Sequence, residues 1–219
     1  MNWRKLITFT FLFALTSSAA AAKLHFQLTN QAGLPVSNAV ISLTPSTPQP
    51  TQKAQPSLQK VRQRNREFLP YVLPVQRNTP IVFPNEDPFQ HHVYSFSATK
   101  RFEVKLFSGM NKTPIIFDQI GVATLGCNIH DWMIGYIVVV DTPYFDKSNA
   151  AGQATFNQLP AETYRVDIWH PQLSKTLTLT VTLARYSTQT LTPVLTLTKP
   201  PKPHPPSADS TDDFDYNNF

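Results

Sequence analysis

Lys175-Thr-Leu-Thr-Leu-Thr-Val-Thr-Leu183 alternates without a break: Leu177, Leu179, Val181 and Leu183 fall on one side and threonine on the other. A repeat of two is the signature of a half-buried strand, because successive side chains point to opposite faces. The same repeat runs outward from this stretch. Val36 to Leu43, Ile81 to Phe83, His92 to Phe96, Phe102 to Phe107, Gly135 to Val140 and Tyr164 to Trp169 all read as strands, separated by breaks containing Pro and Gly. No segment shows a convincing amphipathic helix. The reading is an all-β chain built as sandwiches.

The N-terminus reads differently. Arg4 and Lys5 precede a short apolar stretch from Leu6 to Leu15, and Thr16 to Ala22 is a run of small residues. That pattern is an export signal, expected over 1–22 with cleavage after Ala20 or Ala22, and it is too short for a membrane span. The remaining chain of about 197 residues is long enough for one large or two small domains. The expected location is periplasmic, with no stable membrane insertion after cleavage.

The formal charge is +5. Without Arg4 and Lys5 it is +3, and the last 20 residues contribute −3 through Lys202, Asp209, Asp212, Asp213 and Asp215, so the body between carries about +6. A basic body steers toward an acidic partner or an anionic surface. No nucleic-acid-binding motif is present. Part of the charge is concentrated in Lys60, Arg62, Arg64 and Arg66, just before a strand expected at Phe68 to Val75. This run reads as a solvated loop, with a docking patch for an acidic partner as the functional alternative.

The chain has one cysteine, Cys127, in Gly126-Cys127-Asn128-Ile129-His130-Asp131-Trp132-Met133. A lone cysteine in an oxidising compartment is buried, reactive or metal-bound. Here a thiolate, an imidazole and a thioether are spaced Cys-x2-His-x2-Met, and His91-His92 upstream supplies a second imidazole. Two imidazoles, one thiolate and a weak axial thioether form the ligand set of a blue-copper electron-transfer site. Zinc also accepts Cys and His but gains little from Met133. Leu125 ends one strand and Ile134 begins the next, so the loop between them lies at one end of a sandwich. No nucleophile motif, phosphate loop or metallohydrolase signature is present, and His25, His170 and His204 are not convincing ligands.

Ile81 to Phe96 resembles the first ligand strand of plastocyanins and amicyanins, and Gly121 to Val140 resembles their final hairpin. The short Cys-x2-His-x2-Met loop is similar to that of amicyanin. His91-His-Val-Tyr-Ser-Phe-Ser97 together with Gly126 to Met133 resembles, more closely, bacterial plastocyanin-like proteins labelled as methylamine-utilisation proteins. The likeness covers roughly residues 60 to 170. It implies a cupredoxin-like Greek-key sandwich holding one copper ion that cycles between Cu(I) and Cu(II). The implied ligands are His91 or His92, Cys127, His130 and Met133. Asn85, Asn128, Asp131 and Trp132 are the residues expected to support the site or meet a partner. Spacing from Asn85 favours His91, whereas strand alternation favours His92, because Tyr94 and Phe96 share its face. Ile129 stands where the family usually has a proline before the second histidine.

Two flanking segments resemble parts of carboxypeptidase-regulatory-like sandwiches: Leu24 to Leu43, with strand, Gly-Leu-Pro turn and strand, and Ser148 to Val166, with Gly152, Phe156, Leu159-Pro160 and Tyr164. The expected division is a small discontinuous sandwich over 23–44 and 145–198, a proline-rich connector over 45–56, a cupredoxin-like domain over 57–144 and a disordered acidic tail over 199–219. One larger sandwich is the alternative. The function implied is outer-sphere electron transfer with an acidic redox protein, without catalysis. A copper-delivery factor, a copper enzyme with an open coordination position and a metal-free interaction protein are the other readings.

Overall fold

Alternating sequences become strands throughout the computed structural model, which describes residues 21–47, 56–110 and 113–204. Residues 1–20 of the expected export signal, most of the expected proline-rich connector and the acidic segment after His204 lie outside the described residues. Every regular element described is a strand. The first segment holds β1 (Ala22–Gln27), β2 (Thr29–Asn30) and β3 (Val40–Pro45). The second begins with β4 (Gln59–Lys60), β5 (Arg62–Arg64), β6 (Glu67–Leu69), β7 (Val72–Gln76), β8 (Thr79–Val82) and β9 (Pro84–Asn85). It continues with β10 (His91–Ser97), β11 (Lys100–Phe107), β12 (Gly109–Met110), β13 (Ile115–Phe117), β14 (Gly121–Cys127) and β15 (Ile134–Val140). The last holds β16 (Phe145–Lys147), β17 (Gln153–Leu159), β18 (Thr163–Trp169), β19 (Leu177–Thr182), β20 (Thr188–Leu191) and β21 (Val194–Leu195).

The middle segment builds one sandwich. A five-stranded sheet, ordered β11-β10-β14-β15-β7, encloses a core with the sheets β12-β9-β5-β6 and β13-β8-β4. Its centre is Phe68, Ile81, Phe83, Val93, Phe117, Leu125 and Ile137, all at most 1% exposed. Burying each such side chain contributes about 1.5–3 kcal/mol. Cys127 and Met133 belong to this same core. The flanking segments build a second core between the sheets β17-β1-β20 and β16-β3-β18-β19. Within it the Tyr164 hydroxyl donates to the Pro160 carbonyl, 3.0 Å away, so that a fully buried ring keeps its polar end satisfied. The Gly-Leu-Pro turn closes only a short bridge between Thr29 and Pro35, and the chain then crosses from the sheet of β1 to that of β3.

Where the two cores meet, Val40, Val72, Val138 and Val140 pack with Tyr71, Tyr136 and Trp169. Tyr136 lies edge-on to both other rings, with centroids 5.5 Å from Tyr71 and 5.4 Å from Trp169. The Lys147 ammonium donates to the Val72 carbonyl across the same seam.

The stretch Phe68 to Val75 is two strands. Pro70 has no N–H to continue a ladder, and β6 and β7 join different sheets. The basic run is also strand and turn: Arg62, Gln63 and Arg64 form β5, with Val61 and Gln63 inward and Lys60, Arg62 and Arg64 exposed.

Candidate metal centre

Strand alternation aims Cys127 into the core. Along β14 the buried positions are Ala123, Leu125 and Cys127, and Cys127 pairs in register with Val93 of β10. His91 lies two residues from Val93 on the same inward face, with burial alternating through His91, Val93 and Ser95. The strand therefore delivers the imidazole beside the thiol at the loop end of the sheet. His130 arrives from the β14–β15 loop, whose turn is closed by the Met133 N–H donating to the His130 carbonyl at 2.9 Å.

The three side chains converge. Cys127 Sγ is 3.8 Å from His91 Nδ1 and 3.7 Å from His130 Nδ1, and the three donor atoms lie within 4.8 Å of one another. Their residues are 4%, 0% and 6% exposed. Separations near 3.7 Å are those of nitrogen and sulfur donors sharing one ion at roughly 2.0 and 2.3 Å. Met133 is 2% exposed and lines, with Cys127, a cavity of about 440 Å³ that Tyr94, Phe96, Asp131 and Ile134 also bound. Soft sulfur beside two imidazoles suits copper, so the donor set fits the ion that the spacing implies.

Electrostatics keep both imidazoles neutral. Burial, the neighbouring His91 and the Arg66 guanidinium push His130 down to about 4. Burial likewise lowers His91, although the Asp87 carboxylate opposes it. His91 Nε2 donates to Asp87 Oδ2 at 2.8 Å, and this bond places the ring proton on Nε2 and leaves the Nδ1 lone pair facing Cys127. Asp87 is fixed in turn. Its carboxylate accepts the backbone N–H groups of Asn65 at 2.7 Å and Arg66 at 3.0 Å. Both residues have positive φ, near 56° and 57°, so consecutive N–H groups converge on one anion. Burial alone would raise Asp87, but these hydrogen bonds hold its carboxyl below the usual range.

Of the two adjacent histidines, the structure brings only His91 to the cluster. His92 faces the other side of the sheet, with Nε2 3.0 Å from Glu103 Oε1 but off the hydrogen-bonding direction, and its ring 5.9 Å from Tyr94. Tyr94 and Phe96 do share the face of His92, and that face is the outer one, with Phe96 74% exposed. Gly126 is glycine because the Tyr94 ring fills the space beside it: an added Cβ would lie 2.7 Å from Tyr94 Cζ. Asn85 holds the loop before His91, its amide donating to the carbonyls of Phe89 and Phe107. Trp132 packs on His130 with ring centroids 5.3 Å apart. Asn128 and Asp131 are exposed.

Three contributors escape sequence reasoning. Asp87 is one. Phe89 is another, its ring 5.1 Å from that of His91 and 5.9 Å from that of His130. Arg66, whose guanidinium lies 5.1 Å from the Phe89 ring, is the third. The carboxylate four positions before His91 is the one signal that points to them.

No family model matches the chain, and no curated protein matches it. Solved structures do. One is the copper-containing nitrite reductase of Thermus scotoductus, at 23% identity over 45% of this chain and 26% of that one, TM-score 0.38; the match spans about a quarter of the reductase. A purple cupredoxin from Nitrosopumilus maritimus matches at 20% identity over 38% of this chain and 99% of its own, TM-score 0.33. The amicyanin of Paracoccus versutus matches at 15% identity over 46% and 97%, TM-score 0.32.

Proposed function

We propose that this chain is an exported electron-transfer protein that holds one copper ion on His91 Nδ1, Cys127 Sγ and His130 Nδ1, with Met133 as a weak fourth ligand. The single observation that carries the proposal is the convergence of three buried donor atoms within 4.8 Å beside a buried thioether. Bound copper would supply one-electron redox chemistry.

The protein's own residues do the rest. Cys127 and His91 are held by the β10–β14 register, and His130 by the turn to Met133. Asp87 orients the His91 ring, and Phe89 and Trp132 shield the imidazoles from water. Donors fixed by an all-strand scaffold move little when an electron arrives or leaves, which suits outer-sphere transfer and no substrate chemistry. Trp132, packed on His130, marks the edge at which a redox partner docks, and Arg66, whose guanidinium lies on the Phe89 ring next to His130, suits an acidic one. The N-terminal apolar stretch supports export to the periplasm. Among the described residues no helix is long and apolar enough to cross a membrane.

Voltammetry of the copper-loaded protein, with and without azide, tests this reading. A reversible one-electron couple that azide leaves unchanged supports electron transfer. A couple or spectrum displaced by azide would reveal an open coordination position and favour an enzyme instead.

A further inference from the structure

The outer face of the five-stranded sheet is covered over part of its extent. Val122, Tyr136, Val138 and Val140 meet the second sandwich at the seam. Toward the metal loop the same face carries the cavity of about 440 Å³ beside Cys127. Tyr94 pairs in register with Gly126 there, and its ring occupies the space that a Cβ on Gly126 would take. Phe96 follows two residues on along the same strand face, its ring 5.0 Å from that of Tyr94 and tilted by 36°. Phe96 also lines the cavity, and it is 74% exposed, so much of an aromatic ring is left bare to water at this place. Ile134, Met133 and Asp131 bound the cavity on the loop side.

Asp131 is the charged residue of this wall, and no lysine, arginine or histidine lines it. Among the described residues the Asp131 carboxylate has neither a hydrogen bond nor an ion pair. Across the β10–β11 ladder Arg101 stands opposite Phe96 and Glu103 opposite Tyr94, but both lie outside the wall and their charges oppose each other. The local field in the cavity is therefore negative, on a chain whose net charge is positive. Aromatic rings present a negative face, and a carboxylate beside such faces attracts a cation. One carboxylate does not strip a small inorganic cation of its water, since calcium and magnesium take several oxygen ligands. An alkylated ammonium is held less tightly by water and gains from the rings as well as from the charge. The cavity volume falls in the range of small-molecule sites. The positive charge of the surrounding body opposes the approach of a basic protein surface far more than that of a single small cation.

We propose that this cavity binds a small organic ammonium ion, with its charged head held between Asp131 and the rings of Tyr94 and Phe96. Cys127 and Met133 belong to the same wall, so the ligand lies beside the metal-donor set. A positive charge at that place favours the reduced, less positive state of the site, and the bound cation raises its reduction potential. That consequence rests on the electron-transfer reading; the binding itself does not.

The test titrates metal-free protein with choline and follows backbone amide shifts by NMR. Exposed charge pairs and cation–π contacts are each weak, so saturation is expected at roughly millimolar choline, with the largest shifts at Gly126, Asp131 and Ile134. The uncharged analogue of choline, with carbon in place of nitrogen, should bind at least tenfold more weakly. Phe96→Ala and Asp131→Asn both change exposed side chains, and each should weaken choline binding about fivefold. Glu103→Gln removes a carboxylate outside the wall and should leave the affinity unchanged. The proposal is overturned if choline does not saturate, if the uncharged analogue binds equally well, or if Glu103→Gln costs as much as Asp131→Asn. A short lysine peptide that binds at least as tightly as choline would assign the cavity to a basic protein and overturn it too. No copper enters these readouts, so failure here leaves the metal assignment standing, and failure to bind copper leaves this one standing.

Discussion

Asp87 and His91 form a unit: Nε2 of the imidazole donates to Oδ2 of the carboxylate at 2.8 Å, while Nδ1 of the same ring faces Cys127 Sγ at 3.8 Å. The ring cannot turn without losing a buried, charge-assisted hydrogen bond. Asp87→Asn keeps the shape and weakens the acceptor. The expected result is a fall of about 10–100-fold in copper affinity, as carboxylate partners of metal-bound histidines typically show. Competition with a chelator measures it, and unchanged affinity would reduce Asp87 to a loop-holding role.

Met133 is buried in the core and shares a cavity with Cys127. Met133→Leu conserves volume, so stability should fall by less than about 1.5 kcal/mol in chemical denaturation. Copper should still bind, since the three nearer donors remain, but with a shifted reduction potential and an altered thiolate-to-copper band. An unchanged potential would show Met133 to be packing alone.

His170 predicts a pH dependence away from the metal centre. Burial lowers it from 6.5 to about 4, although a hydrogen bond from the ring to the Ser37 backbone opposes the shift, and its Nδ1 accepts from the Gln172 N–H. The unfolded chain therefore binds a proton more readily than the folded one between these values. The stability this neutral ring contributes is complete above pH 6.5 and is lost as pH falls toward 4, by about 1–3 kcal/mol. His170→Gln should flatten the fall in unfolding free energy between pH 7 and pH 5 measured on metal-free protein. An identical slope would assign the loss to other groups.

Gly135 follows the metal loop, and a Cβ there would lie 2.9 Å from Phe68 Cβ. Phe68 is fully buried and has nowhere to retreat. Gly135→Ala should cost about 1–3 kcal/mol as an overpacked core position, read from the denaturation midpoint. A neutral substitution would mean that β6 and β15 separate more easily than their packing suggests.

The sequence displays the fold class because a repeat of two survives in Leu177 to Leu183 and in the other strands whatever they pair with. It displays Cys127, His130 and Met133 because one short loop carries all three. It does not separate His91 from His92, because Tyr94 and Phe96 look like a core face yet point outward while Val93 and the small polar Ser95 point in. Asp87 is hidden for another reason. Its contact with His91 depends on a loop shaped by Asn85 and on a turn contributed by Asn65 and Arg66, neither of which has a periodic signal. The strand at Arg62–Arg64 is obscured by Gln63, a polar residue at a fully buried position.

The most direct test of the metal assignment is the visible spectrum of reduced, metal-free protein titrated with Cu(II), beside Cys127→Ser. The arrangement of His91, Cys127 and His130 predicts an intense blue or green thiolate-to-copper band that saturates at one equivalent, bleaches reversibly with ascorbate and is absent from the variant. A colourless protein, or a band that persists in Cys127→Ser, would contradict it.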